Sequence, residues 1–209
     1  MATALFKNPA RAALYFIIAS FIAHPSVHAT TVAAPDFNTL VRDSDYVVRA
    51  AVKSITYTEK AKPGKRSLPY SLVELEVTEV IVGTPPSPLV LEVLGGRIGD
   101  REMHISGAPK FEVGQDAILF VQGNKSQIFP LTRMMHGLYP VVKDKDTGKE
   151  YITRSNGEPM TSTAEVSQPM HDHDVTPEER RQMAGRALTA TDFATQIRTA
   201  NKENKADAK

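Results

Sequence analysis

From Ser71 to Val82 the chain reads SLVELEVTEVIV, with Val73, Leu75 and Val77 alternating against Glu74, Glu76 and Thr78. A period of two predicts a strand with one buried and one wet face. Tyr46 to Tyr57 shows the same alternation through Val48, Ala50 and Val52. Ile55 and Tyr57 then change parity, which predicts a β-bulge near Lys53-Ser54. Asp116 to Gln122 (DAILFVQ) is nearly all apolar and predicts a central strand buried on both faces. Leu89–Leu94, Gln127–Leu131, Leu138–Lys143 and Glu150–Thr153 read as further short strands, separated by Gly- and Pro-rich turns. Short strands at this spacing predict a barrel or compact sandwich rather than a β-α-β sheet.

Helical signals flank the strands. Asp36 precedes Phe37–Arg42, whose Phe37, Leu40 and Val41 share a face, so a short capped helix is expected there. Thr176-Pro177-Glu178-Glu179 combines a cap, a proline suited to the first helical position and a capping-box glutamate, starting a helix that should reach about Leu188. Thr191-Asp192 opens a second, with Phe193, Ala194 and Ile197 on one side. The organisation expected is a leader over 1–29, a β domain over 30–154, an irregular linker over 155–175, a helical segment over 176–201 and a fraying charged tail over 202–209.

At the amino terminus Lys7 and Arg11 precede the apolar run Ala12 to Ala23, then Pro25 and Val27-His28-Ala29. That order is a secretory signal peptide, its apolar core shorter than the roughly 20 residues a membrane span needs. The mature protein is expected to begin at Thr30 and to be periplasmic or secreted, with no membrane anchor of its own. The leader takes two of the 25 basic residues and no acidic one, leaving 23 against 24 and a mature charge of −1. A near-neutral balance gives no electrostatic reason to expect nucleic acid or an anionic membrane. There is no cysteine, so disulfides, thiol catalysis and thiolate metal sites are excluded; tryptophan is also absent.

Several segments in succession carry a resemblance: Ser44-Asp45-Tyr46-Val47-Val48, then Val77 to Gly83 (VTEVIVG), then Phe111-Glu112-Val113-Gly114-Gln115-Asp116 leading into Ala117 to Val121. This order resembles the netrin-like module of tissue inhibitors of metalloproteinases, and also exported bacterial proteins with the same succession. It covers roughly Thr39 to Val142. The resemblance implies an OB-like five-stranded β-barrel, with a compact β-sandwich as the alternative, flanked by a short N-terminal helix and two C-terminal helices. It implies a non-enzymatic module that binds a protein partner, with a protease as one such partner. The inhibitors reach the protease zinc through an amino-terminal Cys; this chain has none, so that mechanism does not carry over.

Candidate chemistry is sparse. His171-Asp172-His173-Asp174 supplies imidazoles and carboxylates suited to zinc or copper, and His171 and His173 point the same way in an extended segment. His171, His173 and Asp174 are therefore the candidate metal ligands and the basis of a rival reading as a metal-dependent enzyme; a structural envelope protein is the third class. His104 and His136 stand alone in loop-like surroundings. His104 falls on the side of Ser106, but no G-x-S-x-G elbow or orienting acid is evident. Glu74 and Glu76 suit the solvated face of a strand better than an acid–base pair. Met134-Met135 is a thioether pair of the kind copper favours, yet neighbours on a strand point apart, which predicts one in the core and one on the surface. The loops Lys60–Ser67, Gly95–Ser106 and Lys125–Met135 are where a partner is expected to touch.

Overall fold

The fold is described from a computed structural model, over residues 33–61, 66–144, 147–170 and 175–207. Helix α1 (Phe37–Arg42) leads into two long strands, β1 (Tyr46–Lys60) and β2 (Leu68–Val82). Strands β3 (Leu89–Leu94), β4 (Gly96–Ile98), β5 (Arg101–Met103), β6 (Asp116–Val121), β7 (Leu138–Lys143) and β8 (Glu150–Ile152) follow, and helices α2 (Pro177–Arg186) and α3 (Ala190–Asp207) end the chain. Six strands form one antiparallel sheet in the order β3-β2-β1-β6-β7-β8, while β4 and β5 form a separate ribbon. The protein is mainly β, and the sheet's ladder does not close into a barrel.

Two apolar cores sit on opposite faces of that sheet, and strand alternation assigns each residue to one of them. Val47, Ile118, Phe120, Tyr139 and Ile152 face the helices, where Leu40 and Val41 of α1 meet Phe193, Ala194, Ile197 and Ala200 of α3. Tyr46, Val48, Ala50 and Val52 of β1 face the other way, with Val73, Leu75, Leu91, Ala117, Leu119 and Val121. Strand β6 thus contributes to both cores, which is why its sequence is a continuous apolar run rather than an alternation. The helix-side core is aromatic at its centre. The rings of Phe120, Tyr139 and Phe193 lie 5.0–6.0 Å apart in tilted or edge-on pairs, and Phe37 leans on Phe193 at 5.8 Å. Burial and loss of water around Tyr139 push its phenol far above the ordinary tyrosine range.

The expected bulge is present: the β1–β2 register slips between Val52 and Ser54, leaving Lys53 without a partner position. Two further slips lie between Val47 and Val48 and between Arg49 and Ala50, so β1 is bent along its length. Two of the three expected helix starts match; the third lies earlier, at Ala190 rather than Thr191-Asp192, because the Thr189 hydroxyl takes the Asp192 amide at 3.1 Å. Asp36 accepts the Thr39 amide at 2.8 Å, and Thr176 with Glu179 forms the reciprocal capping box.

Other segments differ from expectation. Gln127–Leu131 is not a strand. Gly123 turns left-handed at φ 62°, its carbonyl takes the Ser126 and Gln127 amides, and Pro130 has no amide to donate; only Leu131 bridges to Val121. Within Gly95–Ser106 the chain forms the β4–β5 ribbon. The stretch after Ser155, read from its polarity as irregular, makes a 3-10 turn at Thr163–Ser167 and buries Met160 and Val166 in the helix-side core. Helix α3 runs on past 201 to Asp207, because Ala200 is buried and the Asn204 side chain donates to the Asn38 carbonyl at 2.9 Å.

The outer edge of β3 is sealed without a strand. The Asn124 side chain accepts the Glu92 amide at 3.2 Å and donates to the Val90 carbonyl at 2.8 Å, imitating one rung of a ladder. The Leu94 amide adds a bond to the Ile128 carbonyl at 2.9 Å. Gly123 donates to Asp45 at 2.7 Å, holding the same loop to the start of β1. The Tyr46 phenol lies inside this seam; burial pushes its pKa up, and the Asn124 side chain beside it pulls the other way.

Three measurements test this architecture. Phe193→Ala removes the ring shared by three aromatic partners and should cost about 3–5 kcal/mol in urea unfolding. Asn124→Ala should cost about 1–3 kcal/mol, by stranding the Glu92 amide and the Val90 carbonyl, and should speed hydrogen exchange at Glu92 first. The Asp36 carboxyl is held below the usual carboxylate range by the Thr39 amide and hydroxyl. A depressed folded pKa stabilises above the unfolded value and is lost as pH falls through the folded one. Asp36→Ala should therefore cost about 1 kcal/mol at neutral pH and much less in acid.

Candidate functional site

The far half of the β1–β2 hairpin extends past the region where β6 pairs, since β6 accompanies β1 only from Tyr46 to Ala51. Beyond that point the hairpin is covered by the β4–β5 ribbon. Gly96 makes this possible. Its φ is +129°, and a Cβ there would stand 2.7 Å from both Tyr57 Cδ1 and Ser71 Oγ, so only glycine lets β4 lie this close. The Gly95 amide donates to the Pro69 carbonyl at 2.9 Å, and the Ser71 hydroxyl donates to the Gly95 carbonyl at 2.9 Å. Arg101 pairs with Glu59 across the two elements, and Lys60 pairs with Glu92 while lying 5.7 Å above the Tyr70 ring.

Between hairpin and ribbon runs a groove of about 460 Å³. Leu68, Pro69, Ile98 and Met103 are its apolar members, and Arg66, Asp100, Arg101 and Glu102 supply mixed charge. Leu68 in this groove is 37 % exposed, and Tyr57, three register positions along and on the other face of the hairpin, is 50 % exposed. The third expected contact loop joins the same region: Ile128, 53 % exposed, bonds to the end of β3 just before Gly95, and Gly107 packs against Met134 and Met135. Arg66 and Ser67 of the first loop line the same groove as Ile98 and Arg101, and Gly107, one residue past the second loop, meets the methionines that end the third. Sequence reasoning named the three loops separately; the glycine pair Gly95-Gly96 was the signal that a backbone would be closely approached there.

Catalytic constellations fare differently. Glu74 accepts from Lys53 at 2.7 Å and from Ser54 at 3.1 Å, and these bonds hold its carboxyl below the usual range, opposite to what a general acid needs. His104 lies 3.0 Å from Glu102, but with 83 % of the imidazole side chain exposed the pair sits on an open rim, not in a cleft. His136 is buried in the 3-10 turn Met134–Gly137, on a different part of the chain. His171, His173 and Asp174 lie outside the described residues. Among the described residues, no three His, Asp or Glu side chains come together as a metal site, and no helix is long and apolar enough to cross a membrane.

The strongest charged cluster is structural. Arg49 on β1 makes a forked contact with Asp116 on β6 at 2.5–3.3 Å and reaches Glu150 on β8 at 2.9 Å. These bonds raise its pKa still further, and the guanidinium staples three strands on the outer part of the helix-side face. Comparison with known protein families, with characterised proteins and with solved structures finds no match.

Gly96→Val should lift the ribbon from the hairpin. The expected result is faster hydrogen exchange at the Gly95 amide and loss of the Arg101–Glu59 pair, with little change at the β6 amides.

Proposed function

We propose that this chain is an exported, non-enzymatic module that grips a protein partner through the end of the molecule formed by the β1–β2 hairpin and the β4–β5 ribbon. The observation that carries this reading is the groove that Arg66, Ser67 and Leu68 share with Ile98, Arg101 and Met103 of the ribbon, with Leu68 exposed in it and Tyr57 exposed on the other face of the same hairpin. Exposed apolar side chains beside both signs of charge suit a protein surface, because apolar area supplies affinity and the charges supply register. The groove is too open and mixed for a small apolar ligand.

The order β3-β2-β1-β6-β7 supports the OB-like reading. It is the order of a five-stranded OB barrel cut between its third and fifth strands, with the Asn124 loop lying along the cut edge of β3. That agreement favours the netrin-like resemblance, and with it a protease as the partner to test first. The signal-peptide pattern of residues 1–29 directs the search to the periplasmic or extracellular fraction.

The test pairs the unaltered protein with Tyr57→Glu/Leu68→Glu, both immobilised and exposed to that fraction. A partner retained by the first and lost from the second, at unchanged thermal stability, is the expected outcome. Inhibition of a purified protease by the unaltered protein alone would fix the partner class. Equal retention by both proteins, or none by either, would remove this surface as the binding site.

A further inference from the structure

We propose that Met134 and Met135 form a thioether site for Cu(I). On an extended strand two neighbouring side chains point to opposite faces. Here they do not. A Cβ built on Gly107 would lie 2.7 Å from the Met135 methyl carbon and 4.0 Å from that of Met134, so both methyl ends lie on the Gly107 side of the turn. The backbone explains the convergence. Arg133 and Met134 are consecutive non-glycine residues in the left-handed region, at φ 55° and 58°, and the chain then enters the 3-10 turn Met134–Gly137. Side-chain-bearing residues rarely adopt that conformation, and such outliers concentrate where a site must be shaped.

Gly107 is the second element. At φ +75° it supplies a bare backbone against which the two methionines pack; a side chain there would displace Met135. Met134 packs against the second core, at whose border Ile105, Ala108 and Phe111 also sit. Access comes from a neighbouring groove of about 360 Å³, which Met134 lines together with Phe129, Leu131, Gln122, Gln127 and Asp43. Arg133 borders the same groove, and its guanidinium reaches Asp43 at 3.5 Å, which tempers its repulsion of a cation.

The donor type selects the metal. Thioether sulfur is soft and neutral, so it holds Cu(I) and leaves zinc, calcium and magnesium in water. In a chain without cysteine, methionine is the softest donor present. These thioether donors differ in chemistry from the imidazoles and carboxylates of His171-Asp172-His173-Asp174.

Anaerobic titration with Cu(I) against a chromophoric chelator tests the proposal on the purified protein. One equivalent should be withheld from the chelator. Met134→Leu and Met135→Leu should each weaken retention at least tenfold, while His171→Ala/His173→Ala leaves it unchanged. In methionine-methyl NMR of the unaltered protein, Ag(I) as a redox-inert stand-in should move the Met134 and Met135 methyls, and Zn(II) should move neither. The proposal is overturned if no copper is withheld, if the histidine variant loses it, if the Met134→Leu/Met135→Leu protein keeps it, or if other methionine methyls shift instead. Should the double variant fail to fold, the NMR experiment decides alone.

Discussion

Strand β6 must be buried on both faces, and the rest of the structure follows from that requirement. A chain without cysteine has no covalent staple, so beyond its hydrogen-bonded ladders and the Arg49 cluster its sheet depends on buried apolar area. Ile118 and Phe120 enter one core, and Ala117, Leu119 and Val121 enter the other. Neither core can loosen without exposing the strand that both share. The helices are positioned by this demand: α3 covers Phe120 and Tyr139 with Phe193 and Ile197, and α1 fills the remaining gap with Leu40 and Val41. The second core has no helix available. It is closed by the curvature of β1, β2 and β3 and by loop residues such as Phe129 and Leu131.

Curvature links that core to the candidate binding end. Register slips in β1 turn its first half toward β6 and leave its second half, paired only with β2, to project onward. A projecting two-stranded hairpin is marginal in water by itself. The ribbon β4–β5 supplies the missing cover through the Gly96 approach and the Arg101–Glu59 pair, but covers it incompletely, and the uncovered remainder is the groove that Leu68 lines. The groove is a consequence of how the hairpin extends past the main sheet, so the proposed contact surface lies on an element that pairs with β2 alone among the strands of that sheet.

Much of the β architecture was legible because period-two alternation is a direct image of two-sided burial. Val48, Ala50 and Val52 declared one face, the parity change at Ile55 declared the bulge, and the unbroken run of β6 declared its central place. Helix starts were legible because Asp36, Thr176 and Glu179 act locally, through bonds within one turn. What was illegible depends on distant partners. Gln127–Leu131 has strand-like residues, yet its amides and carbonyls are claimed by Gly123, by β3 and by Val121 in an irregular order. The polar stretch after Ser155 conceals Met160 and Val166, and two buried anchors in otherwise soluble-looking sequence leave no periodic trace. Arg154, only 4 % exposed, is likewise held by the Gln168 carbonyl and by Glu158 at 3.7 Å, partners that composition does not announce.

The candidate sites show the same division from the other side. The three contact loops could be named from Gly, Pro and charge, but their proximity could not, because it is produced by Gly96 against Tyr57 and by Gly107 against the methionines. Both are close approaches across the chain, and in sequence each is only a glycine among several. The Met134-Met135 pair makes the point most sharply. Strand geometry predicts divergence and the structure has convergence, and the difference lies in two left-handed residues that no alternation rule anticipates. Both proposed sites therefore lie where backbone conformation departs from the local pattern, while the two cores lie where it obeys.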